Sequence, residues 1–255
     1  MKRGAITAVC YLNTVPFVFG INRATEKLHD ALLLSVPSKC ASNFIEKKSN
    51  IALIPAADLP LLENYQIITD YCIGASDFVR SVVVMSDSEL SQIETIYLDS
   101  HSHTSVALVQ ILCREYWHIS PKFESLTDYD SIKKRENRDS KAGYLLIGDK
   151  VFDFEGKFNH TFDLAHEWKL LTGMPFVFAV WVARPEVTTE HIELLRSSLK
   201  YGIEHIESAV DWAKIGIDRE ESIDYLKNSI DFDFNSEKRA ALSHFLQKIP
   251  PSPRG

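Results

Sequence analysis

Several things are scarce in this chain, and each scarcity removes a class of function. No window approaches the ~20 apolar residues that a bilayer-spanning helix needs, so the sequence predicts no membrane partner. Its 4 cysteines (Cys10, Cys40, Cys72, Cys113) are far apart with no C-x-x-C pair, which predicts buried free thiols rather than disulfides or a zinc cluster. Basic residues are outnumbered, 28 Lys and Arg against 35 Asp and Glu, for a net charge of -7. Nucleic acid is therefore excluded as the main partner, because phosphate backbones are held by concentrated positive charge. The one basic cluster, Lys133, Lys134, Arg135 and Arg138, is broken by Glu136 and Asp139 and predicts a solvated surface. No G-x-S-x-G, Walker loop, H-E-x-x-H or post-strand G-x-G-x-x-G occurs.

What is present is an ordinary globular composition, 45% hydrophobic and 25% charged, in a chain of 255 residues that can bury a large core. The start "MKRGAITAVCYLNT" has a basic tip, but its apolar run stops at Asn13 without a small-x-small cleavage site, so a cytoplasmic location is expected. Apolar patterning alternates between short buried runs and helical spacing. Strands are predicted over residues 6–9, 32–36, 51–54, 66–72, 81–85, 95–98, 122–126, 143–147 and along "MPFVFAVWVARP". Helices are predicted over 39–48, capped by Ser38, over 105–117, over a polar stretch near 129–136, and over 164–171 with a glycine stop at Gly173. From Ile192 onward the spacing is helical to the end, restarting after an Asn235/Ser236 cap.

Strands alternating with helices imply an α/β fold with mostly parallel, covered sheets. Two such runs followed by a strand and a helical tail predict two lobes. Residues 1–88 and 176–255 form lobe 1 and residues 89–175 form lobe 2, with crossings near 86–94 and 172–177. Ligands in such folds bind between the lobes, where strands end and helices begin.

The junctions carry the candidate chemistry. In "SHSHTSVAL" the helix after strand 95–98 opens on Ser102, Thr104 and Ser105, hydroxyl donors set beside unsatisfied first-turn N–H groups, an arrangement suited to a small anion. One of Ser102 and Thr104 is also a natural helix cap. Ser38 opens the first-lobe helix, as a ligand contact or a cap. Arg80, in "DFVRSVVV", offers a fork for a carboxylate beside Ser81, or else a surface ion pair. Asn13, in "YLNTVPF", sits on the loop after the first strand, as a ligand contact or a turn-forming residue. His101 and His103 flank Ser102 without a third metal ligand, and no metal site is expected. His160 and His166 are expected at the surface.

The strings "YLNTVPF", "IALIPAADL", "VRSVVV", "IYLDSHSHTSVALVQILCREY", "LLIGD" and "TGMPFVFAVWVAR" resemble, in order, the chorismate dehydratases of the futalosine route to menaquinone. The resemblance covers residues 5 to 185 and implies a two-lobe fold of the type II periplasmic-binding-protein kind with an interlobe ligand cleft. It implies dehydration of chorismate, a dianionic small molecule, to 3-[(1-carboxyvinyl)oxy]benzoate without a cofactor. Ser102, Thr104 and Ser105 would hold one carboxylate, Arg80 and Ser81 the other, and Asn13 the ring or the departing hydroxyl. Either the substrate's enolpyruvyl carboxylate or Asp149, in "LLIGD", would accept the proton, with a helix cap or turn the alternative for Asp149. Phe17 and Phe176 are candidate walls for the ring, with core packing the alternative for Phe176. One position departs from the family: His103 stands where an arginine is usual. The sister enzyme 1,4-dihydroxy-6-naphthoate synthase matches less well at "YLNT" and the "SHSHTS" segment. A non-catalytic cytoplasmic carboxylate-binding protein is the alternative from another class.

Overall fold

The computed structural model describes residues 5–24, 28, 30–99 and 101–249. Its strands form two sheets. The first has the order β2-β1-β3-β10-β4-β11, built from β1 (Ala5–Val9), β2 (Ala31–Ser35), β3 (Ile51–Pro55), β4 (Gln66–Ala75), β10 (Phe176–Ala183) and β11 (Asp231–Asp233). The second has the order β7-β6-β8-β5-β9, from β5 (Val82–Ser86), β6 (Thr95–Leu98), β7 (Lys122–Ser125), β8 (Ala142–Ile147) and β9 (His160–Asp163).

Both sheets are mixed, which corrects the expectation of mostly parallel pairing. β1 runs parallel to β2 and β3, and β6 runs parallel to β7 and β8. The strands at the crossings are antiparallel to their neighbours: β10 to β3 and β4, β5 to β8 and β9. β5 follows β4 with no helix between them, and each crossing strand enters its new sheet from the opposite end.

The first crossing also moves. Val82–Ser86, expected within the first lobe's residues 1–88, is paired on both sides in the second sheet, and all five residues are buried. The chain therefore crosses over residues 76–81. The return lies between α4 (Leu164–Thr172) and β10. β2 is an exposed edge strand rather than a buried one, with Leu33 and Leu34 at 36% and 50% exposure. The polar stretch near 129–136 forms two short 3-10 turns, Ser131–Lys133 and Arg135–Asn137, instead of one helix.

Helices cover the sheets: α1 (Val15–Arg23), α2 (Pro37–Ile45), α3 (His103–Leu112) and α4, then α5 (Thr189–Glu204), α6 (Ile206–Ala213), α7 (Arg219–Asn228) and α8 (Ser236–Lys248). α4 ends as expected at Gly173, whose φ of 73° is a left-handed stop. α1 crosses α5 so closely that a Cβ on Gly20 would lie 1.9 Å from the Ser198 carbonyl oxygen. That contact fixes α1 and the turn before it, which carries Asn13. The core runs through β10, eight consecutive buried residues, where Trp181 meets the edge of Phe17 at 5.8 Å.

No cysteine is disulfide-bonded. Cys40, Cys72 and Cys113 are buried, but Cys10 is exposed, contrary to expectation. Among the described residues no helix is long and apolar enough to cross a membrane. The basic cluster is partly structural: the Arg138 side chain is 2% exposed and pairs with Asp87 at 3.2 Å.

Candidate functional site

The ends of strands from both sheets meet around a cavity of ≈ 500 Å³, part of it continuous with solvent. Tyr11, Asn13 and Thr14 reach it from the turn after β1, Ser81 and Val82 from the crossing into β5, Ile147 and Gly148 from the end of β8, and Phe178 from β10. Ser102 and Ser105 reach it from the start of α3. Thus four of the eight sequence-predicted residues (Asn13, Ser81, Ser102, Ser105) converge on one hollow. No Lys, Arg, His, Asp or Glu is among its described lining residues, so its electrostatics come from hydroxyls, an amide and oriented backbone dipoles.

Each polar group has a local cause. Ser102 is the N-cap of α3: its hydroxyl accepts from Ser105 N at 3.2 Å and lies 3.0 Å from Ser105 Oγ. The cap and the ligand-facing roles are thus held by the same side chain. The Asn13 turn (Leu12–Thr14) is pinned by the Thr14 hydroxyl, which donates to the Val9 carbonyl at 2.6 Å. Asn13 Oδ1 is buried with no hydrogen-bond partner, and so is the Tyr11 hydroxyl. Burial, reinforced by Asp99, raises the Tyr11 phenol well above its ordinary range, so it stays protonated. Two buried orphans on residues that line the cavity are the mark of groups kept for a ligand.

Ser81 depends on a bend at Arg80, whose φ of +60° is unusual for a residue with a side chain. Asp163 holds that bend, its Oδ2 accepting from Val79 N at 3.0 Å and Arg80 N at 2.7 Å. Burial raises the Asp163 carboxyl despite these bonds. On the far side of Ser81, the Gly148 N–H donates to the Ser81 carbonyl at 2.8 Å.

The other four predicted residues lie elsewhere. The Arg80 guanidinium points outward, between Glu155 and Glu221 (both 3.0 Å) and Asp224 (3.3 Å), so the surface-pair alternative describes it. Thr104 is buried and its hydroxyl accepts from Ala57 N at 3.1 Å, tying α3 to the first sheet's side of the cavity. Ser38 is not a cap: α2 begins at Pro37, with Val36 as the capping residue. Instead the Ser38 N–H donates to the His101 carbonyl at 3.1 Å, bridging the two halves beside the cavity wall at Pro37. Asp149 lines a neighbouring hollow with Trp212 and Leu34, its Oδ1 accepting from Leu12 N at 2.7 Å. Burial raises its carboxyl above the ordinary carboxylate value.

His103, in place of the usual arginine, pairs with the buried Asp58 at 2.6 Å, and this hydrogen bond raises the imidazole pKa. His166 stacks on Phe78 and pairs with Asp77 at 2.6 Å, and His160 lies 3.7 Å from Glu89. No group of three or more metal-binding side chains is found among the described residues.

Phe17 and Phe176 are core residues, at 0% and 1% exposure, and neither lines the cavity. Phe178 does. A register shift in β10 between Val177 and Ala179 falls at this residue, and no periodicity announces a bulge. Tyr11 was within reach of sequence reasoning, because it precedes Asn13 in "YLNT".

A profile of the family described as menaquinone biosynthesis matches residues 5–250. The chain belongs to that family. Within the menaquinone biosynthesis family it is similar to the chorismate dehydratase of Thermus thermophilus, 24% identical over 220 residues, which cover 77% of this chain and 81% of that protein. Among solved structures it resembles protein AF1704 of Archaeoglobus fulgidus, with a TM-score of 0.75 at 17% identity over 97% of both chains. It also resembles the aliphatic sulphonate binding protein SsuA of Escherichia coli, with a TM-score of 0.63 at 10% identity over 97% of this chain and 86% of that one. A third likeness, to the Candida albicans CA3427 product, has a TM-score of 0.61 at 10% identity over 97% and 90% of the two chains. The fold of this family member is the periplasmic-binding-protein kind that the sequence motifs implied.

Proposed function

We propose that the chain is a chorismate dehydratase, a carbon-oxygen lyase that converts chorismate to 3-[(1-carboxyvinyl)oxy]benzoate and water. The observation that carries this reading is the convergence of Asn13, Ser81, Ser102 and Ser105 on one cavity with no charged lining among its described residues. The 24%-identical dehydratase supports the choice of substrate. A dianion suits such a site: Ser102, Ser105 and the first turn of α3 bind one carboxylate, and Ser81 binds the other. Asn13, with its unpartnered Oδ1, orients the ring hydroxyl. Removal of the C3 proton and the C4 hydroxyl makes the ring aromatic, so the protein supplies a path rather than a driving force. The proton and the hydroxide leave together as water.

No carboxylate lines the cavity among the described residues, which favours the substrate's own enolpyruvyl carboxylate as proton acceptor. Asp149 then serves by holding Leu12, and with it the Asn13 turn. Closure of the two halves would exclude water from a reactive enol ether.

The likeness to solute-binding proteins supports a second reading, in which the same cavity holds a carboxylate without changing it. Mixing the purified chain with chorismate and following the aromatic product by absorbance and mass decides between them. Tight binding with chorismate left intact would sink the lyase reading.

A further inference from the structure

We infer that Tyr225, carried by helix α7 of the C-terminal region, is a positioning residue of this cavity: its hydroxyl donates to Ser81 Oγ and leaves the Ser81 proton for the ligand. The inference rests on the reading that the cavity takes a carboxylate substrate.

The geometry is explicit. The Tyr225 hydroxyl lies 2.6 Å from Ser81 Oγ, and both residues are 1% exposed. A phenol is more acidic than an aliphatic alcohol, so between the two the phenol donates and the serine accepts. Burial pushes the phenol further above its ordinary range and keeps the proton in place. With one of its two lone pairs engaged by Tyr225, Ser81 has its proton directed away from the phenol and available to a carboxylate in the cavity, which can only accept. Without Tyr225 the serine hydroxyl is free to rotate and to present a lone pair instead.

The helix around Tyr225 is built to hold this contact. Glu221 and Asp224, on the same helix, grip Arg80, the neighbour of Ser81. The Tyr225 ring meets the edge of Phe152 at 5.2 Å, and the Arg80 guanidinium lies over that phenylalanine at 5.6 Å. α7 also packs against the Leu12–Thr14 turn that bears Asn13. The outward ion pairs of Arg80 thus acquire a purpose: they fasten the tail helix to the bend that presents Ser81. The C-terminal region is accordingly part of the site.

The test is a double-mutant cycle on the full chain with Tyr225→Phe, Ser81→Ala and the pair, read as kcat and KM for chorismate. Orientation of a binding donor acts on ground and transition state alike. Tyr225→Phe is therefore expected to raise KM on the order of tenfold, the scale of one hydrogen bond, with kcat within about twofold. Ser81→Ala is expected to do the same, and the double variant to be no worse than Ser81→Ala alone. An unchanged KM in Tyr225→Phe, or a double variant whose losses multiply, overturns the inference, as does a fall confined to kcat. If the wild-type chain leaves chorismate intact, the functional reading fails by itself. The same cycle is then read on the dissociation constant of 3-[(1-carboxyvinyl)oxy]benzoate by calorimetry, where the same tenfold, non-multiplying pattern supports the inference and absence of that pattern or of binding overturns it.

Discussion

Asp149 Oδ1 accepts the Leu12 N–H at 2.7 Å, joining the turn after β8 in the second sheet to the turn after β1 in the first. A carboxylate in that contact orders the Asn13 turn without touching a ligand in the main cavity. Asp149→Asn keeps an acceptor oxygen at the same place and is expected to retain turnover within a few-fold, whereas Asp149→Ala is expected to lose about tenfold and about 1 kcal/mol of stability. Steady-state kinetics with denaturant unfolding measure both, and a collapse of kcat in Asp149→Asn would instead identify a base. The pH dependence has a definite sign. Burial raises this carboxyl from 3.8 in the folded state, so its contribution to stability is present below 3.8 and is lost as pH rises through the folded value. Asp149→Asn removes that slope.

Arg80 was expected at a substrate carboxylate and is found between three acidic side chains. Arg80→Ala is expected to change KM for chorismate by less than about threefold while lowering stability by about 1 kcal/mol, the scale of partly exposed ion pairs. A KM raised a hundredfold would return the guanidinium to the substrate.

Gly148 has a φ of +67°, and a Cβ there would lie 2.9 Å from the Tyr11 ring. Gly173 has a similar φ of +73° with nothing within 4 Å of the added atom. Both alanine variants incur the left-handed backbone cost of about 1–2 kcal/mol, but only Gly148→Ala must also displace the ring of the cavity-lining Tyr11. Thermal unfolding and turnover are expected to separate them: Gly173→Ala less stable and fully active, Gly148→Ala less stable and impaired. Equal activity in the two variants would detach Tyr11 from the site.

His103 and the buried Asp58 join α3 to the Ala56–Leu61 turn across the two halves. Their hydrogen bond raises the imidazole pKa above 6.5. The pair's stabilisation is therefore complete below pH 6.5 and disappears as pH rises through the folded value. The His103 side chain is 55% exposed, so the effect is expected to stay below about 1 kcal/mol. His103→Ala should flatten the unfolding free energy above pH 6.5, and His103→Arg should hold it level at the acid-side value. An unaltered pH profile in His103→Ala would show that the pair contributes nothing.

The local elements and the chemistry at their ends could be read from residues close together in the chain. Alternating apolar runs marked the strands, Gly173 marked the end of α4, and the hydroxyls of "SHSHTS" marked the start of α3, because strand pleat, glycine backbone freedom and helix capping act over a few residues. Asn13, Ser81, Ser102 and Ser105 were legible for the same reason: each stands at a boundary between a loop and a strand or helix. Only the tertiary structure decided which sheet received Val82–Ser86, since an apolar run fits any buried sheet equally well. It also decided that Arg80 turns outward to carboxylates 75, 141 and 144 residues away, and that Tyr225 meets Ser81 across 144 residues. Periodicity records which face of an element is buried; the partner that buries it is chosen by packing between segments far apart in the chain.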